Sequence, residues 1–145
     1  MAESTLEQIQ ADTKTAMKAG DKPRVGALRL IADALQKDSK AGGDDEVAVL
    51  RRERKRRLEA ADAYRSAGDA ERAEAEESEA DLITGYMPAE LSGEELASIV
   101  NDAISATGAA GQQDTGKVMG AAMGKVAGRA DGKRVSAIVR ERLEA

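Results

Sequence analysis

The chain has 145 residues, with 22 Lys and Arg against 27 Asp and Glu, and it contains no Cys, His, Phe or Trp. That length holds one ordinary domain or two small ones. The missing residue types exclude thiol nucleophiles, disulfides, Cys- or His-based zinc sites and any Ser–His relay, which leaves Asp, Glu, Lys, Tyr or Ser acting without imidazole. No constellation of these stands out, and no catalytic residue, metal site or cofactor is assigned.

Tyr64 and Tyr86 are the only aromatic residues, so any core must be built from Leu, Ile, Val, Met and Ala. The first residues, Met-Ala-Glu-Ser-Thr-Leu-Glu, lack the basic head and apolar run of a secretory signal. No run is long enough to span a membrane. A cytoplasmic, soluble protein without membrane association is expected.

Leu6, Ile9, Thr13, Ala16 and Met17 follow a 3.6-residue period and predict a helix near 3–19, ended by Gly20. Asp21 and Pro23 read as the cap and first-turn proline of a second helix, whose stripe is Val25, Leu28, Ile31, Ala32 and Leu35. After the loop AGGDD, a third helix starts near Asp45. Its stripe is Val47, Leu50, Leu58, Ala61 and Tyr64, interrupted by Arg54. Gly68 closes it and Asp69 caps a fourth helix carrying Ala73, Ala80, Leu82, Ile83 and Tyr86, which makes a hairpin with a very short turn.

Pro88 cannot continue a helix and biases Met87 away from helical angles. Ser92 and Glu95 have capping-box spacing. A domain boundary is therefore expected near 87–91, between an N-terminal helical domain, 1–87, and a C-terminal domain, 91–145. A fifth helix carries Leu96, Ile99, Val100, Ala103 and Ile104 and stops at Gly108. A sixth holds Val118, Met119, Ala122, Met123 and Val126. A seventh follows Asp131 and holds Val135, Ile138, Val139 and Leu143. No stretch alternates with period two. The expected fold is all-α: N-terminal helical hairpins followed by a small three-helix domain.

Charge is distributed unevenly. Residues 116–145 hold seven Lys and Arg against three acids, +4, which leaves −9 on the rest of a chain whose net charge is −5. A basic end on an acidic protein hints at a polyanionic partner. The densest basic run, RRERKRR at 51–57, has a plainer explanation. Folding back at Gly68 places Arg57 near Glu79 and Lys55 near Asp81, with Glu76 and Glu77 one turn away, so these charges pair within the hairpin.

Gly111, Gly116 and Lys117 nearly fit a phosphate loop, but Val118 stands where a hydroxyl should hold magnesium, and a helix rather than a strand precedes it. Coincidence in a glycine-rich segment is the better reading. Glycine recurs every fourth position from Gly116 to Gly132. In a helix interior it costs about 0.8–1 kcal/mol relative to alanine. Gly116, Gly120 and Gly124 make a slanting strip, since each step of four turns the face by about 40°, and are assigned to close packing against another helix. Gly128 reads as a C-cap, and Gly132 falls in the first turn after Asp131. Lys117, Lys125, Arg129, Lys133 and Arg134 surround that turn. The backbone N–H groups there suit an anion, which makes 128–132 a candidate phosphate-contacting corner.

The segments LRLIADAL (28–35), YMPAELSGEEL (86–96), GKVMGAAMGKVAGRADGKRV (116–135) and IVRERL (138–143) carry a resemblance. The chain resembles the GatB/YqeY family nearly end to end, with Thr115 standing where the family usually has Met. The resemblance implies an all-helical stand-alone protein. Its C-terminal domain would be similar to the tail of the B subunit of the tRNA-dependent amidotransferase, a tail that helps hold tRNA away from the catalytic cradle. Family members are often labelled carbon–nitrogen ligases with glutamine as amido donor, yet the chain has no counterpart of the ATP-using cradle or of the glutaminase. The resemblance thus implies binding of tRNA or another structured RNA without independent chemistry. The alternative is a module that docks on a protein partner, a translation or amidotransferase component.

Overall fold

A computed structural model describes residues 3–144. Its regular structure is all helical: α1 Thr5–Ala19, α2 Lys22–Lys40, α3 Glu46–Ser66, α4 Ala70–Thr84, α5 Gly93–Thr107, α6 Thr115–Val126 and α7 Gly132–Glu144, with one 3₁₀ turn at Gln112–Asp114. The chain divides into two compact units, Met1–Met87 and Pro88–Ala145. No helix among the described residues is long and apolar enough to cross a membrane.

Side-chain caps set most of the helix starts. Ser4, Asp21, Asp45, Asp69 and Ser92 each accept a hydrogen bond from the backbone N–H three residues on. At Ser92 the box is complete, because Glu95 returns a carboxylate oxygen to the Ser92 N–H at 3.2 Å. The bonds from the Ser92 backbone and then its hydroxyl hold the Glu95 carboxyl below the usual range. A further cap comes from a distance. The Glu46 carboxylate accepts the N–H groups of Thr5 and Leu6, one on each oxygen, at 3.0 Å. It satisfies two of the orphan donors at the start of α1 from the first residue of α3.

In the first unit α1 packs on α2 and α3 on α4. Ile9, Ala16, Leu28, Ile31, Leu35, Val49, Leu50 and Ile83 form its core. Tyr86 closes one edge, donating its hydroxyl to Asp12 on α1. Burial, and then that carboxylate, push its phenol well above the ordinary tyrosine value. Farther along α3 and α4 the buried residues are alanines, Ala61, Ala73 and Ala80. Arg57 to Glu79 at 2.9 Å and Arg65 to Glu77 at 2.7 Å tie the two helices together there. The first of these contacts follows from folding the sequence back at Gly68, whose φ of 80° needs the left-handed region. Lys55 differs from the expectation. It faces Glu59 on its own helix, at 3.9 Å, rather than Asp81.

The expected stripe on α3 also shifts. Leu58 is exposed, and Glu53 lies buried near Leu50 and Ala61 instead. Residues 50, 53, 57 and 61 share one helical face, and position 58 lies about 100° away from it.

In the second unit Leu96, Val100 and Ala103 of α5, Val118, Ala122 and Val126 of α6, and Val135 and Val139 of α7 make the core, joined by Leu91 and Ala130. The end of α6 departs from the expected Gly128 cap. Ala127 is the C-cap, at φ 50°, and Gly128 follows at φ 77°. Two consecutive left-handed residues turn the chain toward α7, and the first of them is an L-residue with a Cβ. Such a conformation costs an alanine about 1–2 kcal/mol, partly offset by the greater freedom of glycine when unfolded. Ala127→Gly is expected to raise stability by about 0.5–1 kcal/mol, read from the urea midpoint at unchanged m-value.

Candidate nucleic-acid interface

All five basic residues picked out by the sequence lie in the second unit, on α6, on α7 and in the turn between them. Lys117 sits in the first turn of α6, exposed, with its ammonium 3.9 Å from Asp114. Lys125 is exposed near the end of the same helix, and Lys133 is exposed at the start of α7. Neither lysine has a carboxylate of a described residue within ion-pair distance.

Arg129 and Arg134 do something else. The Arg129 guanidinium donates through Nε to the Ala89 carbonyl at 2.9 Å, and it approaches Glu95 at 4.0 Å. The Arg129 carbonyl accepts the Leu91 N–H at 2.8 Å. Arg134 donates to Glu90 at 3.1 Å and to the Leu91 carbonyl at 3.2 Å. Together they strap residues 89–91 across the turn between α6 and α7, with Leu91 pushed into the core. The basic corner is therefore built largely as an internal clamp.

One donor beside the expected phosphate cradle at 128–132 is used internally. The Lys133 N–H at the start of α7 donates to the Asp131 carboxylate at 2.9 Å, so the residue before the helix takes one of the donors open to an anion. The near match to a phosphate loop fails in the same way. Asp114 folds back to accept the Ala110 N–H at 3.0 Å, Thr115 donates to the Gln112 carbonyl, and Val118 is buried in the core.

The glycine strip is corrected most sharply. Gly116, Gly120 and Gly124 are exposed, and a Cβ built on each of them meets no atom within 4 Å. They do not let a neighbouring helix of this chain approach. Val118, Ala122 and Val126 make the core face of α6, and the glycines lie about 160° round from it. Met123, 37% exposed, borders the bare face.

What the sequence reading missed is Arg140. It lies seven residues after Lys133, two turns along α7 and almost in line with it, and it too is exposed. The signal was present in the spacing of 133 and 140, but the density of charge at 125–134 drew attention away from it.

The family model described as Yqey-like protein matches residues 6–143, and the chain belongs to that family. No curated protein matches the chain.

Two outcomes follow from this geometry. Gly120→Ala and Gly124→Ala are expected to stabilise the protein by about 0.8–1 kcal/mol each, since the helix gains propensity and the methyl enters open space; thermal and urea unfolding of the single variants check this. Arg134→Ala is expected to cost about 1 kcal/mol. It should also speed amide exchange at Leu91, whose N–H lies inside the clamp.

Proposed function

We propose that this Yqey-like protein is a non-catalytic accessory protein that binds tRNA or a similarly structured RNA through its second unit, in the cytoplasm. The observation that carries the reading is the set of exposed cations Lys125, Lys133 and Arg140, none of which has a carboxylate of a described residue within ion-pair distance. They stand in a stretch, 116–145, of net charge +4 on a chain of net charge −5, so the charge of that stretch favours a polyanion. The resemblance of the C-terminal segment to the tail of the amidotransferase B subunit supports the same direction. Arg129 and Arg134 enter this reading as residues that hold the turn in place, and Lys117 as a flanking charge partly met by Asp114. No amide-transfer step is assigned to the chain.

A second reading is favoured by the glycine face. A helix side bare of side chains, bordered by Met123, offers close backbone approach to a protein partner. The two readings respond differently to salt, because counterion release makes RNA affinity fall steeply with ionic strength and apolar docking does not depend on it.

Lys125→Ala with Lys133→Ala and Arg140→Ala is expected to leave the helical circular dichroism intact. It should weaken binding of unmodified tRNA and flatten the log–log salt dependence by about 0.7–0.9 for each phosphate that is no longer neutralised. Removing the exposed Lys14 and Lys18 from the first unit is the control and should change little. Absence of tRNA binding at low salt would replace the RNA reading with the docking one.

A further inference from the structure

The first unit carries a feature that RNA binding at the other unit does not use. Between α2 and α3 runs an open groove of about 490 Å3. Leu30, Ala34 and Ala41 give it an apolar floor, and Leu30 is 52% exposed. Leaving a leucine in water in this way forgoes roughly 1 kcal/mol or more of burial.

The charges around the floor differ in how firmly they are held. Arg57 is 17% exposed and meets Glu79 at 2.9 Å, Glu53 at 3.5 Å and Glu76 at 3.9 Å. Arg52 and Arg56, one turn apart on the same helix, are largely exposed. Their carboxylate contacts are long, 3.9 Å to Asp38 and 3.4 Å to Glu53. Lys37 stands on α2 across the groove. Glu53 is buried and anchored by Arg57.

Counting Asp33, Asp38 and Glu53 against Lys37, Arg52, Arg56 and Arg57, the lining carries +1. A nucleic-acid backbone, with one charge per phosphate, would meet three carboxylates here and gain little. A segment with an apolar side chain and two spaced carboxylates matches the floor and the two exposed guanidinium groups of Arg52 and Arg56.

We propose that the α2–α3 groove docks an acidic amphipathic helix of a partner protein. An apolar side chain of leucine size sits on Leu30 and Ala34, and two carboxylates one helical turn apart take the guanidinium groups of Arg52 and Arg56. Their spacing of about 6 Å along α3 is the spacing of positions i and i+4 on a helix laid alongside. Guanidinium–carboxylate pairing of this kind is short and bidentate, and it replaces the long contacts made in the free protein. The chemistry is helix-in-groove recognition keyed by charge.

The test is an amide-shift titration of the isotope-labelled full chain. The probe is an alanine/glutamine-based helical peptide bearing one leucine and, beside it, two glutamates four residues apart. Shifts are expected in residues 30–37 and 52–56. Leu30→Gln, and separately Arg52→Glu with Arg56→Glu, should weaken binding by about tenfold or more. All three side chains are exposed, and retained circular dichroism confirms that the variants fold. Met17→Glu alters another exposed apolar residue, outside the groove, and should leave the affinity unchanged. The same peptide with lysines in place of glutamates should not bind. The proposal is overturned if the acidic peptide produces no shifts at about 1 mM, if its shifts map elsewhere, or if the lysine peptide binds equally well. It is also overturned if single-stranded RNA rather than the peptide moves the groove residues.

Discussion

The whole architecture follows from the small size of the side chains available for burial. Without Phe or Trp, the cores are filled by Val, Leu, Ile and Ala, and each contributes apolar area at roughly 25 cal/mol per Å2. The larger aliphatic residues are gathered where α1, α2, the start of α3 and the end of α4 meet. Between the far parts of α3 and α4 the fully buried residues among those described are alanines, and burying a methyl supplies little. There the charge pairs at the margins, Arg57 with Glu79 and Arg65 with Glu77, fix which residue faces which. The Arg65–Glu77 pair, nearer the turn, is exposed to water and screened by it, so this end of the hairpin is the less stable part of the unit.

The second unit resolves a different tension. Residues 116–145 carry seven Lys and Arg against three acids, and part of that charge serves the fold. Arg129 and Arg134 grip the carbonyls of Ala89 and Leu91, which holds an irregular segment against the core and satisfies backbone groups that no helix could pair. Lys125, Lys133 and Arg140 are left to face solvent. Charge density in the sequence therefore overstates the surface offered to a ligand, because a planar guanidinium is suited to carbonyl and carboxylate oxygens of its own chain as well as to phosphate.

The helices, their starts and the all-α class were legible because caps and apolar period are local properties. Asp21, Asp69 and Ser92 cap their helices as their positions indicate, α3 starts beside Asp45 as expected, and Ser4 caps α1 within the expected span 3–19. The Arg57–Glu79 contact was legible because a short turn makes the two helices mirror one another. The direction of the glycine strip was not legible, because the apolar residues of α6 include Met119 and Met123 beside Val118, Ala122 and Val126, and glycine has no side chain to signal which way it points. The clamp on residues 89–91 was not legible at all. It depends on partners some forty positions apart, and nothing in a local pattern distinguishes an arginine that holds a carbonyl from one that waits for a ligand.

The reach of Glu46 to the first turn of α1 has a dynamic consequence. The N–H groups of Thr5 and Leu6 depend for their bonds on a residue some forty positions later, at the start of α3. Opening the first turn of α3 therefore strips the start of α1 of those two partners, and the two helix beginnings fray together. Solvent exchange at two amides near the beginning of the chain thus reports the docking of a helix whose own amides are far away in sequence.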